Sequence, residues 1–175
     1  HRADLWRYCV LWAVGGVYLD VKTWLQRPLA SMFSELRASY TVHCGPPNVR
    51  CVYNGIIATP PRNPVLAELM TRMTAPERVS QLNRPGNYLQ NCYDFYTVLF
   101  ETGVRANWDW RIWNERKYRP CTTPDRYNEC YQIVDDNGVV MVNTRHPDFP
   151  AAFLPTVTVP PTVLLRFRCE RDVAS

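Results

Sequence analysis

Residues 15–23 read GGVYLDVKT. In an extended strand successive side chains alternate faces. Val17, Leu19 and Val21 then form an aliphatic face, and Tyr18, Asp20 and Lys22 a face with a phenol, a carboxylate and an ammonium. Upstream, residues 2–14 (RADLWRYCVLWAV) contain no proline or glycine and stop at Gly15-Gly16, so they read as a helix with a glycine break at its C-terminus. From Tyr8 to Val14 this helix is apolar all round, which predicts burial. Its charges are Arg2, Asp4 and Arg7, and the last two, three residues apart, share a face.

Outward from this block, IIAT at 56–59 reads as a second buried strand ended by Pro60-Pro61. Asn63 is placed to cap a helix opening at Pro64. A longer helix is expected over 87–103, and residues 104–128, rich in tryptophan, read as irregular. Residues 131–144 predict a hairpin around Asp135-Asp136-Asn137-Gly138. Residues 151–175 read as a Pro-rich tail, which leaves 1–150 as the domain. Helix, strand, helix and hairpin together indicate a mixed α/β fold, in which ligands gather at the carboxyl ends of strands. Asp20 and Lys22 lie at such an end.

The 175 residues suffice for one domain with a real core. Net charge is +4, and the eighteen arginines and two lysines (Lys22 and Lys117) are scattered, which argues against a nucleic-acid groove. No apolar run reaches the roughly 18 residues of a membrane span. Seven cysteines occur without a C-x-x-C pair, so a zinc ribbon is not expected. Cys44 and Cys51 flank a Pro-rich turn and are spaced to bridge in an oxidising compartment. Cys121 and Cys130 flank another turn-rich stretch, and Cys9 and Cys92 fall within helical patterns as buried thiols.

Asp4, Arg7, Tyr18, Asp20 and Lys22 form the inventory a nucleotide-sugar needs. Carboxylates accept from ribose and sugar hydroxyls, an aromatic packs on the nucleotide, and cations balance a departing diphosphate. The same residues also fit a structural role. An exposed Asp4–Arg7 pair is worth only about 0.2–0.5 kcal/mol, and charges are ordinary at a strand end.

The block RADLWRYCVLWAVGGVYLDVKT resembles the DXD sugar-binding region of family 32 glycosyltransferases, typified by yeast initiating α-mannosyltransferases, and the related glucosylating clostridial toxins. The shared pattern is A-D-x-x-R-Y, an apolar helix, then G-G-x-Y-x-D-x-D; Ala3, Asp4, Arg7, Tyr8, Gly15, Gly16, Tyr18 and Asp20 match it. VYNGIIATPPRNPVL is similar to the family's next block, and CTTPDRYNECYQIVDDNG resembles a C-terminal block of related proteins. The resemblance implies a GT-A-like fold and transfer of a hexose from a nucleotide-sugar donor to a glycan or glycoprotein acceptor. It assigns donor contacts to Asp4, Arg7 (on the sugar or the diphosphate), Tyr18 and Asp20, and a metal, Mn²⁺ ahead of Mg²⁺, to Asp20; Asn54 would face donor or acceptor in the family's next block, though an Asn before Gly55 equally suits a turn. It also implies residence in the Golgi lumen or secretory pathway. The GT-A half that holds the base precedes this block, so the chain, which opens mid-pattern at His1, reads as a segment lacking that N-terminal part and any anchor upstream.

One position departs from the pattern. The second carboxylate of the DXD falls on Lys22, and an ammonium offers no lone pair to a cation. Lys22 would replace the metal as counter-charge, giving a metal-independent enzyme with Arg7, Asp20 and Lys22 as its catalytic set. Alternatively Asp148 or Asp109 completes the metal site, or the domain is an inactive glycan- or nucleotide-binding relative. Elsewhere, His43 and His146 fit satisfied histidines better than ligands. Trp108, Trp110 and Trp113 fit packing better than a sugar platform, and Trp24 is a candidate for the pocket edge.

Overall fold

The computed structural model describes residues 1–21, 23–35, 37–45, 48–82, 84, 87, 89–102, 108–118 and 130–144. Lys22, residues 119–129, His146, Asp148 and the tail lie outside the described residues.

Helix α1 (Arg2–Val14) leads through Gly15 into β1 (Gly16–Leu19). Then come β2 (Thr23–Leu25), the single turn α2 (Leu29–Met32), β3 (Ser39–His43) and β4 (Val52–Thr59). Three helices follow, α3 (Pro64–Thr74), α4 (Pro76–Leu82) and α5 (Gln90–Phe100), and then β5 (Trp110–Tyr118), β6 (Cys130–Val134) and β7 (Val140–Thr144). The strands form one mixed sheet in the order β1-β4-β3-β5-β6-β7-β2. Each neighbouring pair is antiparallel except β3 with β5. The mixed α/β expectation therefore holds.

The break after α1 has a steric cause. Gly15 adopts φ +68°, and a Cβ there would lie 2.8 Å from the Pro61 nitrogen and 2.9 Å from the Thr59 carbonyl oxygen. Glycine alone permits this crossing of α1 over the end of β4. Asn63 caps α3 as expected: its Oδ1 accepts from Val65 N at 2.9 Å, while Nδ2 donates to Ser39 Oγ and Thr59 Oγ1. Val65, Leu66, Leu69 and Met73 form the buried stripe of α3. On α5, Phe95, Val98 and Leu99 do the same. These stripes join Tyr8, Leu11, Val52 and Ile57 in a core on the helical side of the sheet. A second core, with Tyr40, Val42, Ile56, Trp113, Ile133 and Val142, includes Met32 of α2 and Phe33 just after it.

Several expectations need correction. Residues 110–118, read as irregular, form the central strand β5. Its two halves obey different rules: Trp110 and Ile112 pack on the helical core and Trp113 in the other, so both faces are apolar, and the charged residues 115–117 then hide the pattern. The strand expected at 56–59 begins four residues earlier, at Val52. From Tyr8 to Val14 helix α1 is not buried all round: Tyr8 and Leu11 are buried, Cys9, Val10, Trp12 and Ala13 half-buried, and Val14 exposed. Val17 and Val21 are exposed too, so the aliphatic face of β1 is covered only in part. The hairpin β6–β7 forms where expected, with Asp135 Oδ1 accepting from the Asn137 and Val139 amides.

Candidate functional site

The strand directions bring the carboxyl ends of β1, β3, β5 and β7 and the amino ends of β4 and β6 to one edge of the sheet. The first turns of α1 and α5 converge there. A cleft of about 700 Å³ opens at this edge, within the range of small-molecule sites.

A bulge in β4 builds the first wall. Val42 pairs with Tyr53, but Tyr40 pairs with Ala58, so residues 54–57 stand opposite Thr41 alone. The bulge turns two carbonyls toward the site. Asn54 O accepts from Arg7 Nη1 at 2.7 Å, and Gly55 O accepts from the Asp20 amide at 2.8 Å. Asp20 thereby sits directly beyond β1, against the bulge.

The sequence-matched residues meet around Arg7. Its Nη2 lies 3.1 Å from Asp4 Oδ1, its Nη1 3.6 Å from Asp20 Oδ1, and its guanidinium 4.3 Å above the Tyr18 ring. The Arg7 side chain is 8% exposed. Asn54 Nδ2 donates to Asp4 Oδ1 at 3.0 Å. Tyr18 donates its hydroxyl to Asp20 Oδ1 at 2.8 Å, which with burial raises the Tyr18 pKa, burial being the larger cause. Asp4, Arg7, Asp20 and Asn54 line the cleft, whereas Tyr18 supports it from beneath. Lys22 lies outside the described residues.

Sequence reasoning missed three supporting groups. Tyr53, beside Asn54, donates to Asp20 Oδ2 at 3.3 Å. Asn91 of α5, almost fully buried, donates to Asp4 Oδ2 at 2.6 Å. The available signal was a polar residue at position i of an apolar i, i+4, i+7 stripe, Asn91, Phe95 and Val98. Cys92 lines the floor of the cleft, where burial pushes its thiol pKa up to about 11. The opposite wall, also unforeseen, comes from β5 and β6: Glu115, Arg116, Lys117 and Tyr131. A disulfide, Cys44–Cys51, borders the cleft and ties the end of β3 to the start of β4.

Other candidates fall away from the cleft. Trp113 stacks on Phe33, Trp110 packs edge-on against Phe95, and Trp108 Nε1 donates to Ser39 Oγ at 2.7 Å. All three serve packing. His43 is buried against Tyr96 and Phe100. Trp24, on β2, is not among the cleft-lining residues. Asp109 cannot complete a metal site with Asp20. It precedes β5, six residues from Glu115 and hence about 20 Å away along the strand, and pairs with Arg111 at 2.7 Å.

The carboxylates of this corner are already engaged. Both Asp20 oxygens accept phenol hydrogen bonds, and a guanidinium nitrogen stands 3.6 Å from one of them. Among the described residues no three His, Cys, Asp or Glu side chains converge to hold a metal. This corner does not fit a protein-held cation. Among the described residues, too, no helix is long and apolar enough to cross a membrane.

The architecture is thus an α/β domain with a largely apolar cleft, set with a few charged side chains, at the sheet edge where β1, β3, β5 and β7 end. Residues 1–42, from α1 through most of β3, match a family profile described as glycosyltransferase sugar-binding region containing DXD motif. Asp4, Arg7, Tyr18 and Asp20 fall within the match; Asn54, Asn91 and the β5 wall do not. No curated protein and no solved structure matches the chain.

Proposed function

We propose that the domain is a glycosyltransferase of the GT-A type that takes a hexose from a nucleotide-sugar to a glycan or glycoprotein acceptor. One observation carries the reading. Four residues of the matched region, Asp4 and Arg7 of α1, Tyr18 of β1 and Asp20 just beyond it, converge with Asn54 of β4 beside a cleft large enough for a small ligand. Asp4 and Asp20 are hydrogen-bond acceptors for sugar or ribose hydroxyls, and Asn54 holds Asp4 in place.

For Arg7 we read a positioning role in place of the sugar or diphosphate contact that the resemblance implied. Two carboxylates, a carbonyl and a phenol ring engage it, so it positions Asp4 and Asp20. In the reaction, the acceptor hydroxyl oxygen bonds to the anomeric carbon as the anomeric C–O bond to the diphosphate breaks. The bonding pair leaves with the diphosphate, and the acceptor proton passes to solvent. Negative charge grows on the leaving group, and cations placed near it accelerate its departure. Lys22, standing where the motif has its second carboxylate, supplies one such cation in this reading, in place of Mn²⁺ or Mg²⁺. The Cys44–Cys51 disulfide supports residence in an oxidising lumen such as the Golgi.

The same Lys22 favours a second reading, a nucleotide- or glycan-binding domain without turnover. Calorimetric titration with UDP and GDP, followed by donor hydrolysis with and without EDTA, separates the two. EDTA-resistant hydrolysis supports the enzyme. Binding without turnover across donors and acceptors supports the second reading, and no nucleotide binding at all by the full-length protein defeats the first.

A further inference from the structure

We infer that the phosphates of the donor are held from the β5 wall, by Arg116 and Lys117, and not by the motif arginine. The inference rests on the nucleotide-sugar reading above. Three cationic side chains among the described residues line the cleft: Arg7, Arg116 and Lys117. Arg7 is closed to a phosphate. Both its terminal nitrogens are committed, to Asp4 on one side and to Asp20 and the Asn54 carbonyl on the other. An incoming diphosphate would have to take the guanidinium from two carboxylates and leave them uncompensated, which is costly in a largely buried setting. It would also enter the field of those same two negative charges.

Arg116 and Lys117 are placed differently. They are consecutive on β5, so their side chains leave opposite faces of the strand, yet both border the cleft because the strand ends there. Both are exposed. Lys117 is paired across the sheet with Tyr131, and its ammonium stands 5.8 Å from the Tyr131 ring centroid, which holds it beside the opening. The pair offers a planar fork and a compact ammonium, two complementary ways to meet phosphate oxygens. The cleft thus has an acceptor-rich wall, Asp4, Asp20 and Asn54, suited to hydroxyls, and a wall on which Arg116 and Lys117 outweigh the single carboxylate of Glu115, suited to a diphosphate. A sugar diphosphate lying across it meets each wall with the matching end.

The test titrates UDP, GDP, inorganic pyrophosphate, uridine and guanosine into the full-length protein and into its Arg116→Ala/Lys117→Ala variant. The double variant is expected to lose about tenfold or more in affinity for UDP or GDP and for pyrophosphate, the scale of one or two charge-assisted contacts. Nucleoside affinity and melting temperature should hold, and Arg116→Lys/Lys117→Arg should recover most of the loss. If wild type binds UDP or GDP and the double variant binds them equally well, the inference falls while the donor reading stands. If wild type binds neither, both fall together.

Discussion

Arg7 donates through Nη1 to the main-chain carbonyl of Asn54, 2.7 Å away and 47 residues along the chain. This bond ties the first helix to the bulge in β4, and the Asp4 and Asp20 carboxylates close around it. The guanidinium is therefore a structural keystone as well as part of the cleft wall.

Arg7→Ala removes the cation from between two carboxylates and orphans a carbonyl in one step. Breaking a buried pair from one side costs about 3–5 kcal/mol, and partial exposure of Asp4 and Asp20 places this site near the lower end. Arg7→Lys keeps the charge but not the fork, and should recover only part of the loss. Urea denaturation measures both. A loss under 1 kcal/mol for Arg7→Ala would mean that Arg7 is dispensable to the fold.

Gly55→Ala should damage binding more than folding. An added Cβ would lie 2.7 Å from Asp20 Oδ2 and would also meet the Tyr53 ring, and both are the ends of side chains able to swing away. The backbone there needs no positive φ. Stability should fall by about 1–3 kcal/mol, as for other overpacked sites. The displaced Asp20 should weaken UDP or GDP affinity severalfold beyond that of Tyr53→Phe, which leaves the Asp20 carboxylate in place. Calorimetry on the two variants checks the order, and equal affinities would show that Asp20 has no part in binding.

Residues 2–19 were legible because an uninterrupted helical run, a glycine break and strand alternation follow one another within one short segment, although the alternation read on past Asp20 stops at Leu19, where β1 ends. Asp4 and Arg7 were readable as neighbours for the same reason. Asn91 and Tyr53 were not, since they reach Asp4 and Asp20 through contacts 87 and 33 residues apart. The strand β5 was hidden because it is buried on both faces at one end and charged at the other, which erases the period of two. Its charged end, read as scattered solvated residues, is one wall of the cleft.

Removing the Cys44–Cys51 bridge should cost stability and loosen the cleft rim together. The bond closes a short loop, with a sequence separation of 7, and chain entropy alone assigns such a loop about 2.5 kcal/mol. Cys44→Ser/Cys51→Ser should therefore denature at lower urea, and reductant should shift wild type toward the same midpoint. An unchanged midpoint in both cases would show that the loop is held by its other contacts.

Cys92 should make the fold sensitive to alkali. Burial, the first cause, raises its thiol pKa from 9.0 to about 11 in the folded chain, with Asp4 and Glu115 adding to the shift. The neutral thiol is thus favoured in the native state. As pH rises past 9 the unfolded chain loses this proton first and binds fewer protons than the native state, so stability falls with pH. The contribution is intact below pH 9 and is lost progressively toward pH 11. Two pKa units correspond to about 2–3 kcal/mol at the upper end. Tyr8, whose pKa burial also raises, acts in the same direction at still higher pH and is present in wild type and variant alike. The difference between wild type and Cys92→Ala isolates the thiol. Urea midpoints at pH 7.5, 9 and 10.5 should converge for the two proteins as pH increases; curves that stay parallel would mean that Cys92 ionises as freely in the native state as in the unfolded chain.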